Sequence, residues 1–243
     1  MTRGECAILN SINLSPRLLA IANLVPLDAS VIDVGTDHGY LPVWLFQNRI
    51  TKRVTASDIG KGPLASAANT INEAGAEQGI KLVLCDGLEG IDPDDAEVVV
   101  IAGMGGETIS GILSRAEWTK SCKKLLLQPM SKSEFLREWL LGNGYIIIDE
   151  CLVQDSGKLY TIISAKGGKS EKIVQPWELV VSPYLVEKSD PLLEEYLTQQ
   201  IGKIRRVISG LEKSGSDSNA KRLENRRKVI SGLTELRESL KNG

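Results

Sequence analysis

Several features that would assign a protein class at once are missing from this sequence. Its four cysteines (Cys6, Cys85, Cys122 and Cys151) stand far apart, and the 243 residues include one histidine. We therefore expect no disulfide framework, no metal site and a cytoplasmic location. No apolar run reaches the roughly 18 residues that a membrane span needs. The N-terminus MTRGECAILN also lacks a signal-peptide layout, so we expect no membrane partner.

A strong overall charge is also missing, but the charges are unevenly distributed. The net charge is −2, from 29 Lys and Arg against 31 Asp and Glu. Residues 1–186 carry 17 basic and 22 acidic groups, whereas residues 187–243 carry 12 basic and 9 acidic groups. The net charge of −2 would argue against a nucleic-acid partner. A basic tail, residues 187–243, joined to an acidic body, residues 1–186, can nevertheless hold a polyanion.

Short apolar runs alternate with helical stretches over the first two thirds of the chain. We predict five buried parallel strands, each bounded by Gly, Asp or Pro: Val31–Val34, Arg53–Ser57, Lys81–Leu84, Glu97–Ile101 and Lys124–Leu127. Helices are predicted around 40–48, 63–75, 107–116 and 133–142. This order predicts βαβ units and a doubly wound α/β sheet. Two further runs, Tyr145–Asp149 and Lys158–Ala165, predict an antiparallel hairpin at its edge.

The pattern changes near residue 168. Apolar residues recur every three or four positions from Leu193 to Leu211 and from Val229 to Leu240, with a polar break between the two segments. This periodicity predicts an antiparallel, coiled-coil-like pair of helices. We therefore divide the chain into residues 1–168 and residues 169–243, a connector followed by the helical pair. The first 27 residues also look helical, with Ser15 as an N-cap and Pro16 at the first helical position. We expect a monomer, because the helical pair can bury its own apolar stripe.

Glycines and carboxylates follow the predicted strands. The turn after the first strand reads Asp33-Val-Gly-Thr-Asp-His-Gly39, in which Gly35 and Gly39 do not make a GxGxxG dinucleotide fingerprint. Their spacing fits the acidic-x-Gly-x-x-x-Gly motif of class I S-adenosylmethionine (SAM) methyltransferases. A tight turn that binds no ligand is the alternative.

The next three strands end in the same way. Asp58 follows the second strand, where a carboxylate can accept hydrogen bonds from both ribose hydroxyls. Asp86-Gly87 follows the third, where a carboxylate can receive an adenine amino group, and Gly103-Met104 follows the fourth. Ligands of open α/β sheets bind at the carboxyl ends of the strands. Together these residues favour a nucleoside cofactor, although any one Asp could be a helix cap.

The same residues resemble a known family. The segments DVGTDHGYLP, ASDIGKGPL, LCDGLEGI, IAGMGGETI and LLLQPM, with LSPRL upstream, are similar to the bacterial tRNA (adenine-22-N1)-methyltransferases, the TrmK family. The resemblance runs from about residue 13 to 166. It implies methyl transfer from SAM to N1 of an adenine in the tRNA D-arm. It also implies a cofactor pocket at Asp33, Gly35, Asp58, Asp86 and Gly87, with Gly103 and Met104 beside the reaction centre.

The residues after the fourth strand suit this acceptor. Gly103-Met-Gly-Gly106 replaces the Asn/Asp-Pro-Pro-aromatic loop of many amino-group methyltransferases, and we expect an open, flexible loop there. An adenine N1 has an in-plane lone pair and attacks without prior deprotonation. Alignment and carboxylates that favour a cationic product could then supply the catalysis.

Asp37, His38 and Met104 are our candidates for catalytic residues. Asp37 could orient the base or accept a proton from its amino group, or it could be the N-cap of the following helix. His38 could shape the pocket, although a lone histidine is often structural. Because aromatic residues total 5%, no stacking platform is obvious; Met104, Tyr40 or Trp44 could serve.

The remaining candidates concern the RNA. Arg17 could contact a phosphate or be a solvated helix charge, and Gln128 could line the substrate pocket or end a strand. Basic clusters in the tail include Arg226, Arg227 and Lys228, which could grip tRNA or form an ordinary solvated face.

Three functions stay open at this point. The first is a tRNA base methyltransferase, whose target base must be exposed by flipping or local unpairing. The second is a small-molecule methyltransferase with a helical lid or dimer contact. The third is a non-catalytic SAM-binding module with a protein partner.

Overall fold

A computed structural model describes residues 12–169, 174–214 and 219–242. The described residues form one seven-stranded sheet: β1 Val31–Val34, β2 Val54–Asp58, β3 Ile80–Leu84, β4 Val98–Gly105, β5 Lys124–Ser131, β6 Tyr145–Asp155 and β7 Lys158–Gly167. The helices are α1 Pro16–Ala22, α2 Tyr40–Gln47, α3 Lys61–Glu73, α4 Gly106–Arg115, α5 Ser133–Gly142, α6 Pro183–Glu187, α7 Leu193–Ser214 and α8 Ala220–Asn242. Short 3₁₀ turns occur at Pro93–Asp95 and Glu117–Ser121.

The strand order β3-β2-β1-β4-β5-β7-β6 confirms the predicted doubly wound sheet. Strands β1 to β5 pair in parallel, and β7 is antiparallel to both β5 and β6. The order in which successive strands are added changes direction between β1 and β4. The carboxyl ends of these two parallel strands therefore border a crevice at the switch point. The predicted antiparallel edge hairpin is confirmed as β6 and β7.

Both faces of the sheet are covered, which explains the uninterrupted apolar runs. In β4, Val98 and Val100 pack in the core beneath α1, α2 and α3, while Val99 and Ile101 pack in the core beneath α4 and α5. All four are fully buried. Alternate residues of a strand point to opposite faces, so a strand covered on both sides is apolar throughout.

The C-terminal helices pack against each other and against the edge of the sheet. Arg227 of α8 pairs with Glu212 of α7, as an antiparallel arrangement requires. A third core joins the two helices to the connector and to Leu152 of β6, through residues such as Leu197 and Val229. This confirms the predicted helical pair; the domain boundary at residue 168 stays a prediction.

The predicted N-terminal helix begins at Pro16, with Ser15 as its N-cap, and ends at Ala22; residues 1–11 lie outside the described chain. One local prediction was wrong. The segment Gly103–Gly106 is not an open loop: β4 continues to Gly105, and α4 begins at Gly106. The physical reason is pairing with the equally extended β5, where Met104 lies opposite Pro129 and Gly105 opposite Ser131.

Candidate active site

Backbone hydrogen bonds tie together the turns that follow β1, β2 and β3. The backbone N–H groups of Gly35 and Thr36 donate to the carbonyl oxygen of Ser57, over 2.8 and 2.9 Å. The backbone N–H of Cys85 donates to the carbonyl oxygen of Asp58, over 3.1 Å. The sequence motifs of three separate strands therefore share one rigid rim.

Three predicted cofactor carboxylates stand on this rim in different environments. Asp33 is buried, which raises the pKa of its carboxyl group from 3.8 to about 6, and the negative charge of Asp58 acts in the same direction. Asp58 is fixed by two backbone donors, Gly60 N–H to Oδ1 at 2.8 Å and Asp37 N–H to Oδ2 at 3.2 Å. Asp86 is half-exposed and pairs with Arg115 of α4 at 3.1 Å.

The glycines keep this rim open where side chains would fill it. Gly35 has a φ of 73°, and a Cβ on it would overlap the methyl group of Met104. Gly87 has a φ of 62°, and a Cβ on it would lie 2.9 Å from Ile112. Positive φ and close neighbours together restrict both positions to glycine. Met104 of β4 therefore lies directly over the β1 turn.

The rim has the hydrogen-bond acceptors and the apolar surface that a nucleoside cofactor requires. The buried hydroxyl of Thr36 lies beside the Asp33 carboxyl group and lowers its pKa, which partly opposes the effect of burial. Beside the carboxylates, Ile59 and Leu84 are exposed by 71% and 49%, respectively. Large apolar side chains at the rim of a polar crevice provide a surface for a planar ring.

Asp37 and His38 occupy the turn between β1 and α2. Asp37 has a φ of 52°. The helix N-cap is Gly39, which makes no side-chain capping bond, so Asp37 does not cap α2. Its carboxylate is exposed by 69% and lies 3.7 Å from Nε2 of His38. The His38 ring stacks on the exposed ring of Tyr40, with centroids 5.3 Å apart and 14° between the planes.

Gln128 links the end of β5 to the end of β4 and to α1. Its Oε1 accepts hydrogen bonds from Nη1 of Arg17 at 2.7 Å and from the backbone N–H of Gly103 at 3.0 Å. Its Nε2 donates to the carbonyl oxygen of Pro129 at 3.1 Å. The side chain is completely buried, so Gln128 lies behind the surface of the candidate site and holds Arg17 beside Gly103.

Two further residues fix Arg17, and the sequence reasoning missed both. Nε of Arg17 lies 3.8 Å from the Asp155 carboxylate, and its guanidinium lies 5.9 Å from the centre of the Tyr160 ring. Both residues flank the turn of the edge hairpin. The predicted edge hairpin places Asp155 and Tyr160 near its turn. Nothing in the sequence, however, relates either residue to Arg17.

The predicted basic contacts on α8 lie outside the strand-end rim, and each has a carboxylate partner. Arg226 pairs with Glu134 at the start of α5 over 2.8 Å. Arg227 pairs with Glu212 over 2.8 Å, and Lys228 with Glu224 over 2.7 Å.

The described residues contain no cluster of three or more histidine, cysteine, aspartate or glutamate side chains suited to a metal ion. No helix in the described ranges is long and apolar enough to cross a membrane.

Comparisons with known proteins agree with this geometry. Residues 14–163 match the family described as "Methyltransferase domain". The tRNA (adenine(22)-N(1))-methyltransferase of Bacillus subtilis is 29% identical over 89% of this chain and 93% of its own length. The crystal structure of the B. subtilis M1A22 tRNA methyltransferase TrmK is 28% identical, with a TM-score of 0.84, over 93% of this chain and 100% of that one.

A structure with a bound cofactor is also similar. The Streptococcus pneumoniae protein Sp1610, solved in complex with S-adenosyl-L-methionine, is 26% identical with a TM-score of 0.80. It covers 93% of this chain and 100% of its own. The chain belongs to the methyltransferase domain family and, within it, to the tRNA (adenine-22-N1)-methyltransferases of the TrmK type.

Proposed function

We propose that this protein transfers a methyl group from SAM to N1 of adenine 22 in the D-arm of tRNA. The observation that carries the proposal is the rim of Asp33, Asp58 and Asp86 at successive strand ends, with Met104 over Gly35. Relatives that match almost the whole chain are named for this reaction. We further propose a monomer that works in the cytoplasm, where tRNA is found.

The cofactor pocket we propose comprises Asp33, Gly35, Asp58, Asp86, Gly87 and Gly103. SAM supplies the electrophilic methyl group when it is bound. Asp58, whose two oxygens are already oriented by backbone donors, can accept from the ribose hydroxyls with its remaining lone pairs. Asp86, held from behind by Arg115, can receive the adenine amino group of the cofactor.

On the side of the site that binds the target adenine, catalysis depends more on aligning N1 with the methyl group of SAM than on proton transfer. Adenine N1 attacks with its own lone pair, and the product ring carries a positive charge. The exposed Asp37 carboxylate can stabilise that charge or accept a hydrogen bond from the amino group of the base. Met104 and the stacked pair His38 and Tyr40 offer surfaces that limit how the base can sit.

The tRNA body needs contacts beyond one nucleotide. We propose that Arg226, Arg227 and Lys228 contact phosphates and that Arg17 contacts the target nucleotide. Each of the three α8 side chains already pairs with a carboxylate. A tRNA phosphate would therefore replace that carboxylate as the partner of the side chain.

The decisive experiment is incubation with labelled SAM and unmodified tRNA, followed by mapping of the modified nucleotide. The proposal expects label at N1 of adenine 22. Turnover of small molecules without RNA would indicate the small-molecule enzyme. Cofactor binding with no methylated product in a full tRNA pool would indicate the non-catalytic module.

Asp37 is tested separately. Asp37→Asn should lower kcat by about 10- to 100-fold, because the carboxylate charge acts in the transition state, and should leave SAM affinity unchanged. Asp94→Asn, on the exposed 3₁₀ turn, is the matched control. Full turnover of the Asp37→Asn enzyme would remove Asp37 from the mechanism.

A further inference from the structure

A groove of about 510 Å³ lies between the sheet and the C-terminal helices. We call it the rim groove. One wall is the segment Pro129–Glu134, from the end of β5 to the first turn of α5, and the floor is Gly157–Thr161, from the hairpin turn into β7. The other wall is α7, through Tyr196, Gln199, Gln200 and Lys203.

The rim groove adjoins the strand-end rim through Arg17. The groove lining begins at Pro129, directly after the Gln128 side chain that holds Gly103 and Arg17. The lining also includes Tyr160, whose ring lies 5.9 Å from the Arg17 guanidinium. A polymer that places one unit beside Gly103 can therefore place a neighbouring unit in the groove.

The charges in the groove differ from those on α8. Lys158 and Lys203 are exposed, and within the described ranges neither forms an ion pair. Lys132 and Glu134, which also line the groove, are already paired with Glu107 and Arg226. The groove therefore presents two unneutralised ammonium groups, one from β7 and one from α7, to a ligand of negative charge.

The groove also offers a surface for a base. Met130 is exposed by 46%, and Tyr160 is half-buried with part of its ring open to the groove. Bases stack on such side chains with little sequence preference. Ammonium groups flanking an apolar patch suit a single nucleic-acid strand better than they suit an acidic peptide, which has no planar rings at regular spacing.

We propose that the rim groove binds the RNA strand next to the target adenine, with Lys158 and Lys203 on its phosphates and Met130 and Tyr160 against the neighbouring base. This inference rests on the proposed function, because it identifies where the same tRNA leaves the active site.

The test compares tRNA binding by three proteins across a range of salt concentrations. They are the wild type, the double variant Lys158→Gln with Lys203→Gln, and the control Lys166→Gln. Because β7 runs antiparallel to β5, Lys158 lies at the catalytic rim and Lys166 lies at the opposite end of the same strand. SAM affinity is measured for all three, to show that the fold and pocket are intact.

The double variant should bind unmodified tRNA about 10-fold more weakly near 0.15 M salt, and its salt slope should fall by about 1.5, which corresponds to two lost phosphate contacts. KM for tRNA should rise with little change in kcat. The Lys166→Gln protein should match the wild type.

Binding and methylation are scored separately. If the wild type methylates tRNA and the double variant binds it like the control, the groove proposal is overturned while the proposed function stands. If the double variant loses salt-sensitive RNA binding but no protein yields methylated RNA, the groove stands and the proposed function fails. Selective binding of a polyglutamate peptide through the two lysines, without RNA binding, would overturn both.

Discussion

Gln128→Met is the substitution whose consequences follow most directly from this structure. It nearly preserves the volume of a completely buried side chain but removes the oxygen shared by two donors. Those donors are Nη1 of Arg17, at 2.7 Å, and the backbone N–H of Gly103, at 3.0 Å. Methionine offers neither donor a strong acceptor.

The bond from Gln128 Nε2 to the Pro129 carbonyl oxygen is lost as well, but the magnitude is set mainly by the two donors that lose their acceptor. A bond to a charged group contributes about 1.5–3 kcal/mol, and a buried donor left without a partner costs about 1–3 kcal/mol. The Arg17 side chain is 21% exposed, so water recovers part of the first contribution. We expect the free energy of unfolding to fall by about 2–4 kcal/mol, which lowers Tm by roughly 4–16 °C in a chain of this size.

Turnover should fall together with stability. Gly103 and Arg17 would no longer be fixed beside Met104, and a displacement of the order of 1 Å near the reacting atoms costs about 100-fold in rate. SAM affinity should fall less than turnover, because Gly103 is released while the turns at Gly35 and Asp58 are held by other hydrogen bonds.

The assay combines urea denaturation with steady-state tRNA methylation at a temperature at which the variant is folded. Gln78→Met, at an exposed position, is the matched control. An unfolding free energy within about 0.5 kcal/mol of wild type, together with full turnover, would refute the role assigned to Gln128.

Three other predictions concern the rest of the chain. Arg137→Met leaves the buried Glu150 carboxylate without its guanidinium partner at 2.8 Å and should cost about 3–5 kcal/mol in urea denaturation, much of it recovered when Glu150→Gln is added. Gly232→Ala places a Cβ into the partly buried indole ring of Trp177 and should cost about 1–3 kcal/mol, whereas Gly210→Ala, in open space on α7, should add about 0.5–1 kcal/mol. Because the folded-state pKa of Asp33 is raised to about 6, the folded chain binds more protons between about pH 4 and 6, and its contribution to stability falls as the pH rises through that window. The difference in unfolding free energy between wild type and Asp33→Asn, measured from pH 4 to 7, should show this slope; a difference independent of pH would contradict it.

The fold was largely predictable from local patterns. The run Glu97–Ile101 is apolar at every central position, which identifies a strand covered on both faces, and the structure places it as β4 in the middle of the sheet. The Gly and Asp residues after successive strands were predicted to meet at one edge of the sheet, and they do, because parallel strands present their carboxyl ends together.

The segment Gly103–Gly106 shows where local patterns fail. Three glycines around one methionine indicate a loop when the segment is considered alone. Pairing with Pro129 and Ser131 supplies an extended partner strand, and the glycines instead allow close approach of neighbouring backbone. A β-strand is stabilised by its partner, so its end cannot be located without knowing where that partner ends.

The sequence by itself determined the class of sheet, the helical pair and the side of the sheet on which Asp33, Asp58 and Asp86 meet. Each of these follows from periodicity or from the rule that parallel strands share one direction. Only the tertiary structure decided that Gln128 joins Arg17 to Gly103 and that a groove opens beside them. Those contacts join residues up to 111 positions apart, and their geometry depends on how helices and the edge hairpin pack on the finished sheet.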